Sequence, residues 1–170
     1  MSERAVSADD VKALRERSGA GVMDCKRALD DAEGDVERAV ALLKERGLAS
    51  AEKRAGRQTS QGMVESYIHA GGRLGAIVEL NCETDFVART DAFKELARNL
   101  AMQVVATDPL AVSEEDLPSG AEGDPEQLCL LRQRFIKDES RTVDQVVKDV
   151  IAQTGENIQV RRFVRFELGQ

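Results

Sequence analysis

Apolar residues recur at helical spacing three times within the first fifty positions, and each recurrence is cut short at a glycine. Ser7 followed three residues later by Asp10 makes a capping-box-like start, and the segment it opens runs to about Arg17. GAGV at 19–22 breaks that segment, and a second runs from about Asp24 to Ala32 and ends at Gly34. A third opens at Asp35 and carries Val36, Ala39, Val40 and Leu43 as one stripe, with Gly47 expected as its C′ residue. Three short helices predict a small bundle whose stability needs close packing of Val11, Leu14, Leu29, Val40 and Leu43. Residues 51–61 hold Lys53, Arg54 and Arg57 without apolar period, which predicts a solvated linker or a frayed helical extension.

From residue 62 the period falls to two. Val64, Ile68 and Ala70 alternate with Glu65, Tyr67 and His69, Gly71-Gly72 supplies a tight turn, and Leu74, Ala76, Val78, Leu80 and Cys82 share one face of a second strand. Phe93, Leu96, Ala97, Leu100, Ala101, Val104 and Val105 then follow helical spacing, so that helix is expected to lie on the hairpin. Residues 106–125 contain all three prolines and read as loop, with one helical turn after Ser113. Thr142 and Gln145 form a capping box before Val143, Val146, Val147, Val150 and Ile151, and Gly155 stops that helix. In the terminal strand Ile158, Val160, Val164, Phe166 and Leu168 alternate with polar residues; Arg162 interrupts the apolar face and Phe163 the polar one. The fold class is α+β, divided into a helical bundle at 1–50, a linker at 51–61 and an α+β core at 62–170.

Charge narrows the function classes. The 24 Lys and Arg residues against 31 Asp and Glu leave −7, which opposes a phosphate backbone as the main ligand, so no direct nucleic acid partner is expected. Cys25, Cys82 and Cys129 are an odd, widely spaced set without a C-x-x-C pair, so neither a disulfide framework nor a zinc site is indicated. No apolar run is long enough to span a membrane, and the first ten residues lack signal-peptide character, so a soluble cytoplasmic protein is expected. His69 is the only histidine, which excludes a multi-histidine metal site. No phosphate-binding G-x-x-x-x-G-K-[ST] occurs, and Glu79, Glu83 and Asp85 read as solvated charges. No cofactor and no enzymatic activity are expected.

What stands out is Cys82-Glu83-Thr84-Asp85-Phe86-Val87-Ala88-Arg89, between the second strand and the helix. Phe86 lies outside the helix stripe that Phe93 opens. Two readings balance: Phe86 and Val87 tuck under the helix as a staple, or Phe86 is an exposed recognition residue.

Three blocks carry a family resemblance: VKALRERSGAGVMDCKRAL at 11–29, LNCETDFVART at 80–90 and GENIQVRRFVRFELG at 155–169. Together they resemble the translation elongation factor Ts family. The resemblance implies an N-terminal bundle like ubiquitin-associated domains and a core with a three-stranded antiparallel sheet packed by helices. It implies guanine-nucleotide exchange on elongation factor Tu. Thr84, Asp85, Phe86 and Val87 would enter the partner's GTPase domain near its magnesium site, and Lys12, Arg15, Val22 and Met23 would let the bundle grip another face. One copy of the core motif is visible where longer members carry two, and residues are missing between Pro118 and Leu128. That shortening favours pairing of two chains, as a homodimer or a 2:2 complex. The rival reading is a ubiquitin-type adaptor using the loop Gly19 to Met23, and an RNA-binding reading would use Lys53, Arg54, Arg57, Arg161, Arg162 and Arg165 around Phe163.

Overall fold

A computed structural model describes residues 6–169; residues 1–5 of the first region and Gln170 of the last lie outside the described residues. Helix α1 (Ala8–Ser18) starts on the expected capping box, in which Ser7 and Asp10 cap each other's backbone amides, and ends at Gly19 in the left-handed conformation. Helix α2 (Val22–Asp31) begins two residues before the expected Asp24, with Gly21 as an N-cap that offers no side chain. Leu14, Cys25, Ala28, Leu29, Ala32 and Ala39 are buried together between these helices and the next. Val11, Val36, Val40 and Leu43 pack against that cluster, as the apolar spacing indicates.

Helix α3 (Val36–Arg54) corrects the expected stop at Gly47. Glycine there serves proximity, not termination: a Cβ on Gly47 would sit 3.0 Å from the Cβ of Ala152. The missing methyl lets α3 press against α7 (Val143–Thr154) and carries the helix across residue 50 to Arg54. Ala51 is consequently a buried member of the core cluster, not part of a solvated linker.

The core sheet has the order β1-β2-β5, all antiparallel, from strands β1 (Gln61–Ile68), β2 (Leu74–Cys82) and β5 (Ile158–Glu167). Gly71 and Gly72, both at positive φ, make the β1–β2 turn. Ala76, Val78, Leu80 and Cys82 face inward against α5 (Asp91–Thr107), whose Phe93, Leu96, Ala97, Leu100, Ala101, Val104 and Val105 are all buried. Helix α7 closes the same core with Val143, Val146, Val147 and Ile151, and its Thr142–Gln145 capping box and Gly155 end are as the sequence indicates.

Two strand faces differ from expectation. On β1 the inward side chains are Met63 and Tyr67, while Val64 and Ile68 point to solvent. On β5 the pairing changes register: Glu79 opposes Arg162 but Leu80 opposes Val160, so Arg161 is an extra residue. A one-residue slip exchanges the faces. Ile158 and Val160 therefore face the core, Phe163 packs against it, and Val164 and Phe166 turn outward.

The stretch 106–142 contains more structure than its prolines suggest. The turn expected after Ser113 is present as a 3₁₀ segment at Glu114–Asp116. A short helix α6 (Pro125–Leu128), a second 3₁₀ turn (Leu130–Arg132) and a two-stranded hairpin of β3 (Arg134–Phe135) and β4 (Asp138–Thr142) follow. Two buried glutamines hold this segment to α5. Gln103 donates to Gln133 and to the Arg134 carbonyl and accepts from the Ile136 amide. Gln133 in turn donates to the Gln127 carbonyl at 2.7 Å. A buried amide side chain satisfied on both its oxygen and its nitrogen pins the chain where hydrophobic spacing gives no signal.

A candidate partner interface

The Thr84–Val87 stretch sits where β2 stops and α5 has not begun, folded into the single-turn helix α4 (Asp85–Ala88). Thr84 is its N-cap, and its hydroxyl oxygen accepts from the Val87 amide at 3.4 Å. Thr90 repeats the device for α5, accepting from the Phe93 amide while its hydroxyl donates to the Val87 carbonyl at 2.8 Å. Two caps in seven residues leave the linker between strand and helix with little freedom.

Within that turn the four expected contact residues separate. Val87 is buried in the core, which anchors α4 on its inner side. Phe86 points the other way and is 79% exposed. The staple reading therefore holds for Val87 and fails for Phe86. Asp85 is half-exposed and ion-paired with Arg89 at 2.7 Å one turn later; such a surface pair contributes little to stability.

Beneath the turn lies a set of polar contacts from distant parts of the chain. The Thr84 amide donates to Glu156 Oε2 at 2.9 Å, and the Thr84 hydroxyl donates to Glu156 Oε1 at 2.6 Å. The Asn157 amide donates to Glu83 Oε1 at 2.7 Å, and the Asn157 side chain donates to the carbonyls of Ala55 and Arg57 at 3.2 and 2.8 Å. The Asn157 amide, helped by Arg57, holds the Glu83 carboxyl below the usual glutamate range. Burial pushes the Cys82 thiol up, with the Glu156 carboxylate adding to the effect, so it stays protonated and donates to the Thr84 carbonyl at 3.1 Å.

Glu79, Glu83 and Asp85 are thus three separate carboxylates with different partners, not a reactive pair. Glu79 bridges to Arg162 at 2.7 Å across the outer face of the sheet. Sequence reasoning took Glu83 for a solvated charge and gave Glu156 and Asn157 no part in the site. The available signal was the polar pair Glu156-Asn157 directly after the glycine that ends a helix.

The second predicted patch is on the bundle. Lys12 and Arg15 are exposed on α1, three residues apart and hence on one face. Val22 and Met23 open α2 and are 51% and 62% exposed. Exposed large apolar side chains at one helix start and unburied cations on the preceding helix are each of the kind that a protein partner engages.

Other candidates carry less. His69 lies one residue past β1 and its ring nitrogen contacts the Tyr67 hydroxyl at 3.2 Å. Among the cations of the RNA-binding reading, Arg57 pairs with Glu83, Arg162 with Glu79, and Arg165, largely buried, with Glu167 and Asp108. Among the described residues no cluster of ligating side chains suits a metal ion, and no helix is long and apolar enough to cross a membrane.

The family model described as Elongation factor TS matches residues 32–122 and 122–170. The chain is 48% identical to "Elongation factor Ts" of Moorella thermoacetica, with 97% of this chain and 96% of the relative covered. It is 47% identical to the protein of the same description from Carboxydothermus hydrogenoformans, covering 97% and 90%. The alignments run over 195 positions against 170 residues, so the relatives carry at least 25 positions that this chain lacks. The two family matches meet at residue 122, inside the stretch between Pro118 and Leu128 that looked short in the sequence. The chain belongs to the elongation factor Ts family.

Proposed function

We propose that this chain is a guanine-nucleotide exchange factor that binds the GTPase domain of elongation factor Tu and releases its GDP by disturbing the magnesium and phosphate site. The observation that carries this reading is Phe86: an aromatic ring 79% exposed on a turn that is fixed on its other side by Val87 and by caps at both ends. A ring carried on an anchored turn costs little backbone entropy on docking and gains burial in a partner.

Magnesium demands near-octahedral oxygen coordination and tolerates small displacements poorly, so a wedge that shifts one ligating segment of the GTPase expels the ion. The magnitudes show that the wedge does not act alone. Nanomolar nucleotide binding is about −12 kcal/mol, and burial of one phenylalanine returns about 1.5–3 kcal/mol. The remainder is the work of the wider interface. Within this reading residues 1–50 supply a second grip through Lys12, Arg15, Val22 and Met23, and residues 62–170 present the wedge, with Asp85 orienting its turn. Linkage makes the action reversible: the coupling free energy by which the factor weakens nucleotide is the amount by which returning nucleotide weakens the factor. The chain performs no bond chemistry of its own and needs no cofactor. A ubiquitin-type adaptor would leave the exposed Phe86 unused and is not favoured.

A second feature supports self-association. Val64, Ile68, Val164 and Phe166 are exposed on the outer face of the sheet, with Ile77 between them. An apolar sheet face bounded by two open edge strands is suited to a second copy related by a two-fold axis.

The direct test of the exchange reading is release of fluorescent GDP from elongation factor Tu with and without the chain. Stimulation at substoichiometric amounts supports it, and an unchanged release rate at micromolar excess sinks it.

A further inference from the structure

Glu156 and Asn157 stand in the three-residue link between α7 and β5, more than seventy positions from Thr84 in sequence, yet they contact both the wedge and the end of α3. We infer that Glu156 is a positioning residue for exchange, setting the direction of Phe86 through Thr84, with Asn157 fixing the end of α3 from the same link. This deepens the exchange reading given above and rests on it.

The chemistry of the contact explains why a carboxylate is required. Thr84 presents two donors to this neighbour, its amide at 2.9 Å and its hydroxyl at 2.6 Å, and each meets its own oxygen of Glu156. A carboxylate accepts at both oxygens, whereas a carboxamide accepts at one and turns an NH₂ toward the other donor. The hydroxyl contact also decides the cap. With its proton committed to Glu156, the Thr84 oxygen keeps a lone pair for the Val87 amide. Glu156 thereby controls the rotamer of the residue that caps α4, and α4 is the turn from which Phe86 projects.

The cap contact itself is long, at 3.4 Å, so the turn is not held by its own hydrogen bonding alone. Four residues make one turn, which is too short to persist in water without outside support. Support comes from Val87 on the apolar side and from Glu156 on the polar side. Loss of the first would unfold the site; loss of the second would leave it folded but free to rotate. The neighbouring Asn157 extends the same link to the bundle side, where it donates to the carbonyls of Ala55 and Arg57 just past α3. One short turn thus relates the helix that leads from the bundle to the turn that carries the wedge.

The experiment is a mutant cycle on the full chain. Glu156→Gln is expected to slow stimulated GDP release by roughly ten- to a hundredfold, the scale of an ångström-sized misplacement of a reacting group. Its melting temperature should stay close to wild type. In a Phe86→Ala background the same substitution should add nothing, because a residue that acts only by aiming the ring has no effect once the ring is gone. Glu156→Asp is the second variant: it keeps the charge but withdraws it by one methylene, and it should be slowed as well. Amide hydrogen exchange of the free chain gives a reading independent of the partner, with faster exchange expected at Thr84 and Val87 of Glu156→Gln and no change in α5. Wild-type release by Glu156→Gln, or a defect that adds in full to that of Phe86→Ala, overturns the positioning role. Full activity of Phe86→Ala alone overturns the wedge reading instead, so the two failures are told apart.

Discussion

Truncating Phe86 to alanine removes a ring that is 79% exposed in the free chain. Only about a fifth of its surface is shielded, so of the roughly 1.5–3 kcal/mol that full burial of such a side chain contributes, about 0.3–0.6 kcal/mol is at stake. For a domain of this size that corresponds to a fall of about 1–2 °C in melting temperature. Phe93 is the internal control, since it is a fully buried phenylalanine seven residues away. Phe93→Ala opens a cavity beneath α5 and should cost about 3–5 kcal/mol, or on the order of 6–20 °C.

Activity should rank the two variants the other way. If the Phe86 ring is buried only in the complex that releases nucleotide, losing it costs that complex about 1.5–3 kcal/mol, which slows release by roughly ten- to 150-fold. Phe93→Ala, assayed below its melting temperature, should keep most of its stimulation. Thermal unfolding followed by circular dichroism and release of fluorescent GDP, measured on both proteins at the same temperature, supply the four numbers. A Phe86→Ala protein that melts as early as Phe93→Ala would place the ring in the core, and one that exchanges at the wild-type rate would place the wedge elsewhere.

Three further outcomes follow from particular contacts. Met23→Ala on the exposed first turn of α2 should weaken binding to elongation factor Tu by about fivefold, a contact worth about 1 kcal/mol, while leaving the melting temperature unchanged; surface plasmon resonance and calorimetry check the two halves. Phe166→Arg on the outer sheet face should abolish self-association seen by sedimentation at tens of micromolar, and a wild-type chain that sediments only at 18.6 kDa refutes the dimer outright. Glu83 has a carboxyl held below the usual range by the Asn157 amide and Arg57, so its stabilisation is present above the ordinary glutamate value of about 4.3 and is lost as pH falls through the lower folded value. Glu83→Gln should therefore melt below wild type at pH 7, with the gap closing below about pH 4; a gap constant with pH would remove the charge from the explanation.

The helices were legible wherever one side of the chain had to be apolar and the other polar. Phe93 to Val105 and Val143 to Ile151 follow a single spacing, and all but the half-buried Val150 are buried. Gly47 misled because two different needs select glycine. A left-handed stop such as Gly19 or Gly155 uses positive φ, but the Gly47 backbone stays helical and the residue is small because α7 passes 3.0 Å from where its Cβ would be. Nothing within one helix announces a neighbour that arrives a hundred residues later. The same distance hides Glu156 from Thr84, since sequence spacing orders residues along one element and says nothing of which two loops meet.

The strands failed for a different reason, and the failure bears on function. Alternation assigns faces only while the register is unbroken, and in β1 both parities are apolar: Met63 and Tyr67 on one, Val64 and Ile68 on the other. The choice belongs to the partner strand, where Ala76, Val78 and Leu80 oppose Tyr67, Glu65 and Met63 and turn that set inward. In β5 the extra residue Arg161 inverts the pattern halfway, so that Phe163 goes in while Val164 and Phe166 come out beside Ile77 and Gly75. Val64 and Ile68 of β1 and Val164 and Phe166 of β5, all expected inside, are therefore gathered on one outer surface. A chain with spare apolar residues of both parities must expose one set. Selection against aggregation tolerates such a face only where something covers it. The proposed second copy would meet that requirement in a family member that lacks at least 25 positions its relatives carry, which is why Phe166→Arg tests the consequence of the bulge as well as the assembly.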